Sequence, residues 1–236
     1  MALTLAPQII QTWQVFLSPW FVQKNDLMTL LNEQELQRAH RFKFDIHRDR
    51  FIVARAFLRK ILSLYTDIPP EKIEFNYGKR GKPWLAENPL DLQFNISHSD
   101  DVAVYGISQT AEIGIDVEKF SDKYEEAVAK RFFSPQEYLE LSELVPEQRA
   151  RAFYQIWVKK EAIIKALGEG LYAPLADFSI HWNQQNEKIL MAPFEIYVQS
   201  IDISAAFSAA VAVTGPIKEI LRWEWKIDNS SANTVA

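Results

Sequence analysis

The sequence has 236 residues with 48% hydrophobic content, enough for one large domain or two small ones with a substantial core. It contains no cysteine, which excludes disulfides and thiolate chemistry and suits a reducing cytoplasm, and its net charge of -5 argues against general nucleic-acid binding. The longest apolar run, around residues 203–216, is too short and too broken by serines to span a bilayer, so we expect a cytoplasmic protein without a membrane role.

The first third of the chain predicts a strand followed by helices. TWQVFLS (12–18) favours a strand, LLNEQELQRA (30–39) favours a helix, and residues 50–65 form a strongly periodic helix pattern with an aliphatic face. The arginines of this last helix are consistent with either a solvated face or a site; they are Arg50, Arg55 and Arg59. Ahead of the helix lies a basic cluster that is denser than a solvated face needs and predicts a phosphate clamp, namely Arg38, Arg41, Lys43 and Arg48.

Two loops in the next stretch contain residues that could hold a nucleotide. In YGKRGKPWL (77–85), glycines and a proline among basic residues predict a tight exposed turn, whose Lys82 is either solvated or in contact with a nucleotide. LQFNISHSDDVAVYGIS (92–108) predicts two strands joined by a polar turn at 97–101. His98 in this turn is either solvated or, between two serines, a donor to a phosphate.

The segment IGIDVEKF (113–120) contains an informative pair of carboxylates. In a strand, Asp116 and Glu118 point to one side, while Ile113, Ile115 and Val117 point to the other. Two like charges side by side, with apolar residues behind them, are costly unless a cation lies between them. A hard divalent ion with oxygen ligands is the simplest candidate.

The helix predicted in WVKKEAIIKALGEGL (157–171) would supply a third carboxylate to this ion. Its periodicity turns Lys159 and Lys160 outward and places Glu161 and Lys165 one turn apart. Glu161 and Lys165 are either an ordinary helix pair or part of the metal site. The helix is predicted to end at two glycines, Gly168 and Gly170.

The segments around this helix complete the prediction of secondary structure. AVAKRFFSPQEYLELSEL (127–144) predicts two helices separated by a break, with Ser134 as the cap of the second. Residues 178–215 predict several antiparallel strands. The polar tail from residue 229 is predicted to be disordered.

A short internal repeat indicates how the chain is divided. SDDVAVYG begins at Ser99 and the similar SAAVAVTG begins at Ser208, about half a chain length later, and each follows a long helix. We therefore predict an α+β fold, a pseudo-dimer of two similar α/β lobes, each with an antiparallel sheet packed on a long helix. The N-terminal lobe would comprise residues 1–110 and the C-terminal lobe residues 111–236, with the active site in the cleft between them.

Four motifs together resemble the signature of the 4'-phosphopantetheinyl transferases, in particular the larger surfactin-synthetase-activating (Sfp-like) type. They are FNISHS (94–99), IGIDVE (113–118), RFFSPQEY (131–138) and WVKKEAIIKALGEGL (157–171), and GKP at 81–83 agrees as well. The resemblance implies a magnesium-dependent enzyme of acyl-chain or peptide biosynthesis. Such an enzyme transfers the phosphopantetheine arm of coenzyme A to a serine of an acyl or peptidyl carrier protein and releases adenosine 3',5'-bisphosphate.

The resemblance also implies roles for individual residues. Asp116, Glu118 and Glu161 would hold magnesium, and Asp116, Glu161 and Lys165 would be catalytic. Glu161 or a metal-bound water would accept the proton of the carrier serine. The residues expected to bind coenzyme A are Arg38, Arg41, Arg50, Lys82, Ser97, His98 and Lys165.

The resemblance leaves the roles of two further residues open. Glu35 stands where the family has a basic residue that helps to clamp the 3'-phosphate of coenzyme A. Glu137 matches a family carboxylate near the metal.

Two other functions are compatible with these residues. A metal-dependent phosphodiesterase would also use carboxylates around a divalent ion, but it would consume coenzyme A without a carrier protein. A module that binds coenzyme A or a carrier without turnover would have little reason to keep a costly carboxylate cluster. Because the second lobe supplies what a partner subunit would, the pseudo-dimer predicts a monomer.

Overall fold

The computed structural model describes residue 3 and residues 5–79, 81–168 and 175–227. Within these residues, two four-stranded sheets and a small hairpin accompany two long helices. The first half contains β1 (Ile9–Phe16), α1 (Lys24–Met28), α2 (Glu33–His40), α3 (Asp45–Thr66), β2 (Phe75–Tyr77), β3 (Pro83–Leu85), β4 (Leu92–Ser99) and β5 (Val102–Gln109). The second half contains β6 (Ile113–Lys119), α4 (Glu126–Phe132), α5 (Pro135–Glu143), α6 (Pro146–Leu167), β7 (Asn186–Met191), β8 (Phe194–Ser200), β9 (Phe207–Thr214) and β10 (Glu219–Trp225). Among the helices described, none has the length and apolarity needed to cross a membrane.

The first sheet has the strand order β10-β1-β5-β4 and packs on α3. Strand β5 is antiparallel to both β1 and β4, whereas β1 and β10 are parallel. Sheet and helix share one apolar core, and within it the Tyr105 hydroxyl of β5 donates to the carbonyl of Ala54 in α3 (2.9 Å). The periodic helix predicted at 50–65 is present and begins earlier, at Asp45.

Strand β10 joins the first sheet although it lies at the far end of the described chain. Its Trp223 and Trp225 contact Trp13 of β1, with ring centroids 5.5 and 5.8 Å away. Burial of these three tryptophan rings against one another contributes substantially to hydrophobic stabilisation. The sequence of neither strand, however, predicts that the other is its partner. The prediction that residues 111–236 form the second lobe is therefore wrong for residues 219–225, because this segment belongs to the first sheet.

The second sheet has the order β6-β9-β8-β7, is antiparallel throughout and packs on α6. The apolar parts of the two repeat segments lie in β5 and β9, each an interior strand of its own sheet. The predicted α+β fold with two sheets, each packed on a long helix, is thus confirmed, but the first sheet is mixed rather than antiparallel because β10 pairs with β1 in parallel.

The start of α5 and the end of α6 also lie where the sequence predicts them. Ser134 caps α5, since its hydroxyl accepts from the backbone N–H of Glu137 (3.2 Å) and its own N–H donates to the Glu137 carboxylate (2.6 Å). Helix α6 ends at Leu167, followed by Gly168 in the left-handed conformation with φ 69°. Gly170 and the predicted disordered tail from residue 229 lie outside the described residues.

Candidate active site

The two lobes meet where β4 of the first lies alongside β6 of the second. Alternate polar side chains of β4 point to β6: the Asn95 side-chain oxygen accepts from the N–H of Ile115 (3.1 Å), and the Ser97 hydroxyl donates to Asp116 (2.7 Å). The Ser99 hydroxyl donates to Glu118 (2.8 Å). We call this row of contacts the β4–β6 seam. These contacts place the carboxylates of Asp116 and Glu118 against polar side chains of β4.

Gly114 brings α6 into backbone contact with β6. A Cβ atom at this position would lie 2.0 Å from the carbonyl oxygen of Ala162 and 2.3 Å from the backbone nitrogen of Ala166. Only a residue without a side chain permits this approach. Since Gly114 and Asp116 face the same side of the strand, the close packing places Glu161 and Lys165 of α6 beside the Asp116 carboxylate.

Asp116 and Lys165 form the centre of this cluster. The Lys165 ammonium group donates to Asp116 Oδ1 (2.5 Å) and to the Ser97 hydroxyl (3.0 Å). Asp116 is only 3% exposed, and its Oδ2 atom is buried without a hydrogen-bond partner among the described residues. One oxygen of this carboxylate is thus satisfied by the protein, and the other is available to a ligand.

Burial and mutual repulsion set the protonation of the other two carboxylates. Burial, and then the negative charge of Asp116, raise the pKa of Glu161 to about 7, against the opposing effect of Lys165. Burial also raises the pKa of Glu118, although the hydrogen bond from Ser99 acts in the opposite direction. The charged forms of Glu161 and Glu118 are therefore costly at this site unless positive charge is added.

A cavity of 490 Å³ opens at this cluster between the two lobes. Its lining contains seven of the residues predicted from the sequence, namely Arg38, Ser97, His98, Asp116, Glu118, Glu161 and Lys165. Two smaller cavities, of 280 and 290 Å³, share the side chains of Arg38 and Arg55 with it. Lys82 lines the 280 Å³ cavity and Arg41 lines the 290 Å³ cavity. The structure thus brings all but one of the predicted site residues to these three cavities.

The exception is Arg50, and part of the predicted phosphate clamp also lies elsewhere. The Arg50 guanidinium is paired with Asp100 in the turn between β4 and β5, and Arg50 lines none of the three cavities. Arg48 is paired with Asp45 (2.8 Å), and the Lys43 ammonium lies over the ring of Phe44. Of the basic cluster, Arg38 and Arg41 are thus the members that line these three cavities.

Two lysines predicted to point outward are instead completely buried, so that prediction is wrong. Lys160 donates to the Glu137 carboxylate (2.9 Å) and to two backbone carbonyls, and Lys159 donates to Glu187 (2.9 Å). Helical periodicity cannot reveal such partners, because Glu187 lies far along the chain. Glu137 is itself 1% exposed and lines none of the three cavities, so it secures α5 to α6 rather than lying near the carboxylate cluster.

Five residues that line the main cavity were not among the predicted site residues, namely Phe51, Ala54, Arg55, Ile96 and Trp157. Arg55 is 8% exposed rather than part of a solvated face, and Trp157 lies on the α6 wall. For Arg55, a usable signal was present: an arginine among the aliphatic residues of a buried helix needs an acidic partner. That partner is Glu35, from the preceding helix.

The donor set fits a hard divalent cation such as Mg²⁺. It offers carboxylate oxygens, including the unpartnered Asp116 Oδ2, and two carboxyl groups whose pKa values are raised first by burial and then by the charge of Asp116. Within the described residues, however, no group of three or more His, Asp or Glu side chains is already arranged to hold a metal ion. The positive charge next to Asp116 is the ammonium group of Lys165.

Without a divalent cation, we expect the free energy of unfolding to fall as pH rises from about 5 to 8. Glu161 has an ordinary pKa of 4.5 when unfolded and about 7 when folded, so between these values the folded protein binds more protons. The resulting loss of stability is complete above the folded pKa and amounts to about 3 kcal/mol at most. Urea unfolding in EDTA at about pH 5 and about pH 8, for the parent and for Glu161→Gln, measures this loss of stability. A variant that keeps the parent pH slope would contradict the assignment to Glu161.

Two family models match this pair of lobes in succession. One is described as "4'-phosphopantetheinyl transferase, N-terminal" and matches residues 11–110; the other is described as "4'-phosphopantetheinyl transferase superfamily" and matches residues 112–213. The second match contains the carboxylate strand and α6. Together with relatives of high coverage, these matches establish that the chain belongs to the 4'-phosphopantetheinyl transferase superfamily, which is a family of enzymes.

The individual relatives cover most of the chain. It is 40% identical over 172 residues to the 4'-phosphopantetheinyl transferase HetI of Nostoc sp., a match covering 72% of this chain and 73% of that protein. It is 30% identical over 194 residues to the 4'-phosphopantetheinyl transferase Sfp of Bacillus subtilis, covering 80% and 84%. It is 30% identical over 197 residues to the 4'-phosphopantetheinyl transferase psf-1 of Bacillus pumilus, covering 82% and 83%. The resemblance to the Sfp-like type is thereby confirmed.

Proposed function

We propose that this enzyme transfers the 4'-phosphopantetheine arm of coenzyme A to a serine hydroxyl of an acyl or peptidyl carrier protein. The serine oxygen forms a bond to the β-phosphorus, the bond from that phosphorus to the bridging oxygen breaks, and adenosine 3',5'-bisphosphate leaves. The observation that carries this proposal is the convergence of Asp116, Glu118, Glu161 and Lys165 on one cavity between the lobes of a chain of this family. Both lobes of a single chain supply the cavity walls, which favours a monomeric enzyme.

The three carboxylates are the residues that would hold Mg²⁺. A bound Mg²⁺ would neutralise the negative charge that builds up on the diphosphate during displacement. Lys165 already lies against Asp116 and would donate to the same phosphate oxygens. Glu161 lines the cavity beside Asp116 and Glu118, and we assign it to accept the serine proton.

The nucleotide end of coenzyme A would extend from this cluster toward the basic side of the cavities. Arg38 and His98 are exposed side chains on the first-lobe wall and can donate to phosphate oxygens. Lys82 donates to Glu112 (2.8 Å) and to the carbonyl of Ala166 (3.2 Å), so it joins the hairpin loop to α6 beside the 280 Å³ cavity. The Ser97 hydroxyl acts through Asp116 and Lys165, which it contacts.

Mass spectrometry of a purified apo carrier protein tests the proposal directly. Incubation with this enzyme, coenzyme A and Mg²⁺ is expected to increase the carrier mass by one phosphopantetheine, and a chelator is expected to prevent the increase. A carrier in which the acceptor serine is replaced by alanine is the matched control and should stay unmodified. The leaving product, adenosine 3',5'-bisphosphate, should appear in equal amount.

Two results would favour the other functions. Cleavage of coenzyme A at the same rate with and without a carrier would indicate a phosphodiesterase. Binding of coenzyme A without modification of several unrelated carriers would indicate a binding module. Modification that persists in excess chelator would contradict the role assigned to Mg²⁺ and leave transfer itself established.

A further inference from the structure

Glu35, the acidic residue at a position where a phosphate-binding cation was expected, is a buried part of the wall of the 290 Å³ cavity. It is 3% exposed, and its Oε2 accepts from the N–H of Asn32 (2.9 Å) at the start of α2. Arg55 donates to its Oε1 (2.5 Å), and Arg59 donates to its Oε2 (2.8 Å). Two arginines and a helix cap therefore compensate this carboxylate, so it does not present an unpaired negative charge to a ligand.

The two arginines paired with Glu35 have different surroundings. Arg59 is completely buried, donates to the carbonyls of Pro70 (2.9 Å) and Ile73 (2.8 Å), and lines none of the three cavities. Arg55 lines all three. One arginine thus anchors Glu35 to the core, and the other is held by Glu35 at the edge of the ligand space.

Arg55 is also fixed in orientation before any ligand binds. Its Nη2 donates to the Tyr77 hydroxyl, and its guanidinium carbon lies 4.5 Å from the centroid of the Phe75 ring. Neither the Glu35 contact nor the Tyr77 contact uses Nη1. A planar guanidinium held by its neighbours and bordering a cavity is suited to bind a phosphate at low entropic cost.

Arg38 lines the same three cavities as Arg55 and adds a second guanidinium to this wall. The reacting diphosphate belongs at the other end of the main cavity, beside Asp116 and Lys165. The remaining phosphoryl group of coenzyme A is the 3'-phosphate, a monoester with up to two negative charges, which matches two arginines. We propose that Arg55 binds this 3'-phosphate together with Arg38, and that Glu35 positions Arg55 for the purpose. This inference rests on the proposed function and names a specificity-determining residue of the same site.

Calorimetric titration of the full chain with coenzyme A and with 3'-dephospho-coenzyme A tests this role without requiring turnover. The parent should bind coenzyme A more tightly. Arg55→Gln should weaken binding of coenzyme A by about 10-fold to 100-fold and change binding of the dephospho form little, since one charge-assisted hydrogen-bonding group is lost. Arg55→Lys keeps the charge beside Glu35 but lacks the planar guanidinium. Its preference for coenzyme A over the dephospho form should therefore lie between those of the parent and Arg55→Gln.

Arg59→Gln is the matched control, because it removes the other arginine of the same carboxylate. It should lower stability and leave the preference for the 3'-phosphate at the parent value. The inference is overturned if both Arg55 variants keep the parent preference, or if Arg59→Gln reduces the preference as much as Arg55→Gln does. Absence of coenzyme A binding to the parent would instead overturn the proposed function itself.

Discussion

Replacement of Asp116 by Asn is expected to lower the initial rate of carrier modification by at least about 100-fold. The substitution preserves the shape of the side chain but removes the charge that pairs with Lys165 and replaces the unpartnered Oδ2 oxygen with a neutral amide atom. Both the position of the lysine and the affinity for a divalent cation depend on that charge. Mass spectrometry of an apo carrier at saturating coenzyme A and Mg²⁺ measures the rate.

The same chemical change at Asp202 provides the control for this experiment. Asp202 is an exposed residue beside Arg222, and Asp202→Asn should transfer at the parent rate. A circular dichroism spectrum of Asp116→Asn that matches the parent would show that the fold is kept. If Asp116→Asn transfers as fast as the parent, the role of Asp116 in the site is wrong.

Gly114→Ala is expected to have the largest effect on stability, about 3 kcal/mol or more in the free energy of unfolding. The added methyl group would lie 2.0 Å from a carbonyl oxygen and 2.3 Å from a backbone nitrogen of α6. Backbone atoms cannot rotate aside as the end of a side chain can, so the helix must move away from β6. Glu161 and Lys165 would move with it, and transfer activity should be lost together with stability.

Gly78→Ala is the control that separates this clash from the general effect of replacing glycine. A methyl group at Gly78 would meet the Trp84 ring at 3.5 Å and the Lys82 carbonyl oxygen at 3.6 Å, which are ordinary contact distances. Its free energy of unfolding, measured in urea, should change by less than about 1 kcal/mol. Equal destabilisation by the two substitutions would show that close packing of α6 on β6 does not explain the requirement for Gly114.

The site was predictable from the sequence wherever its residues lie on a strongly patterned element. Asp116 and Glu118 share a face because a strand alternates, and Glu161 and Lys165 share a face because a helix repeats every turn. These local rules, together with the family motifs, indicated seven of the twelve residues that line the main cavity. The residue roles themselves remain predictions for the experiments above.

The failures arise from partners that are distant in sequence. Lys159 and Lys160 were assigned to the surface because their pattern is polar, but acidic partners and carbonyls from other elements compensate their burial. Glu35 looked like a lost phosphate contact, because nothing in its own helix indicates that Arg55 lies against it. Such pairs become visible only when the fold has brought the elements together.

The parallel pairing of β10 with β1 also constrains the order in which the enzyme can be completed during synthesis. Strand β1 is made early, but the partner for its outer edge is made only after the whole second sheet. Until then, the edge of β1 presents unpaired backbone groups, and Trp13 lacks the indole rings that contact it in the finished protein. The first sheet is therefore complete only after residues 219–225 have been made, and until then the nascent chain exposes an edge strand of the kind that favours aggregation.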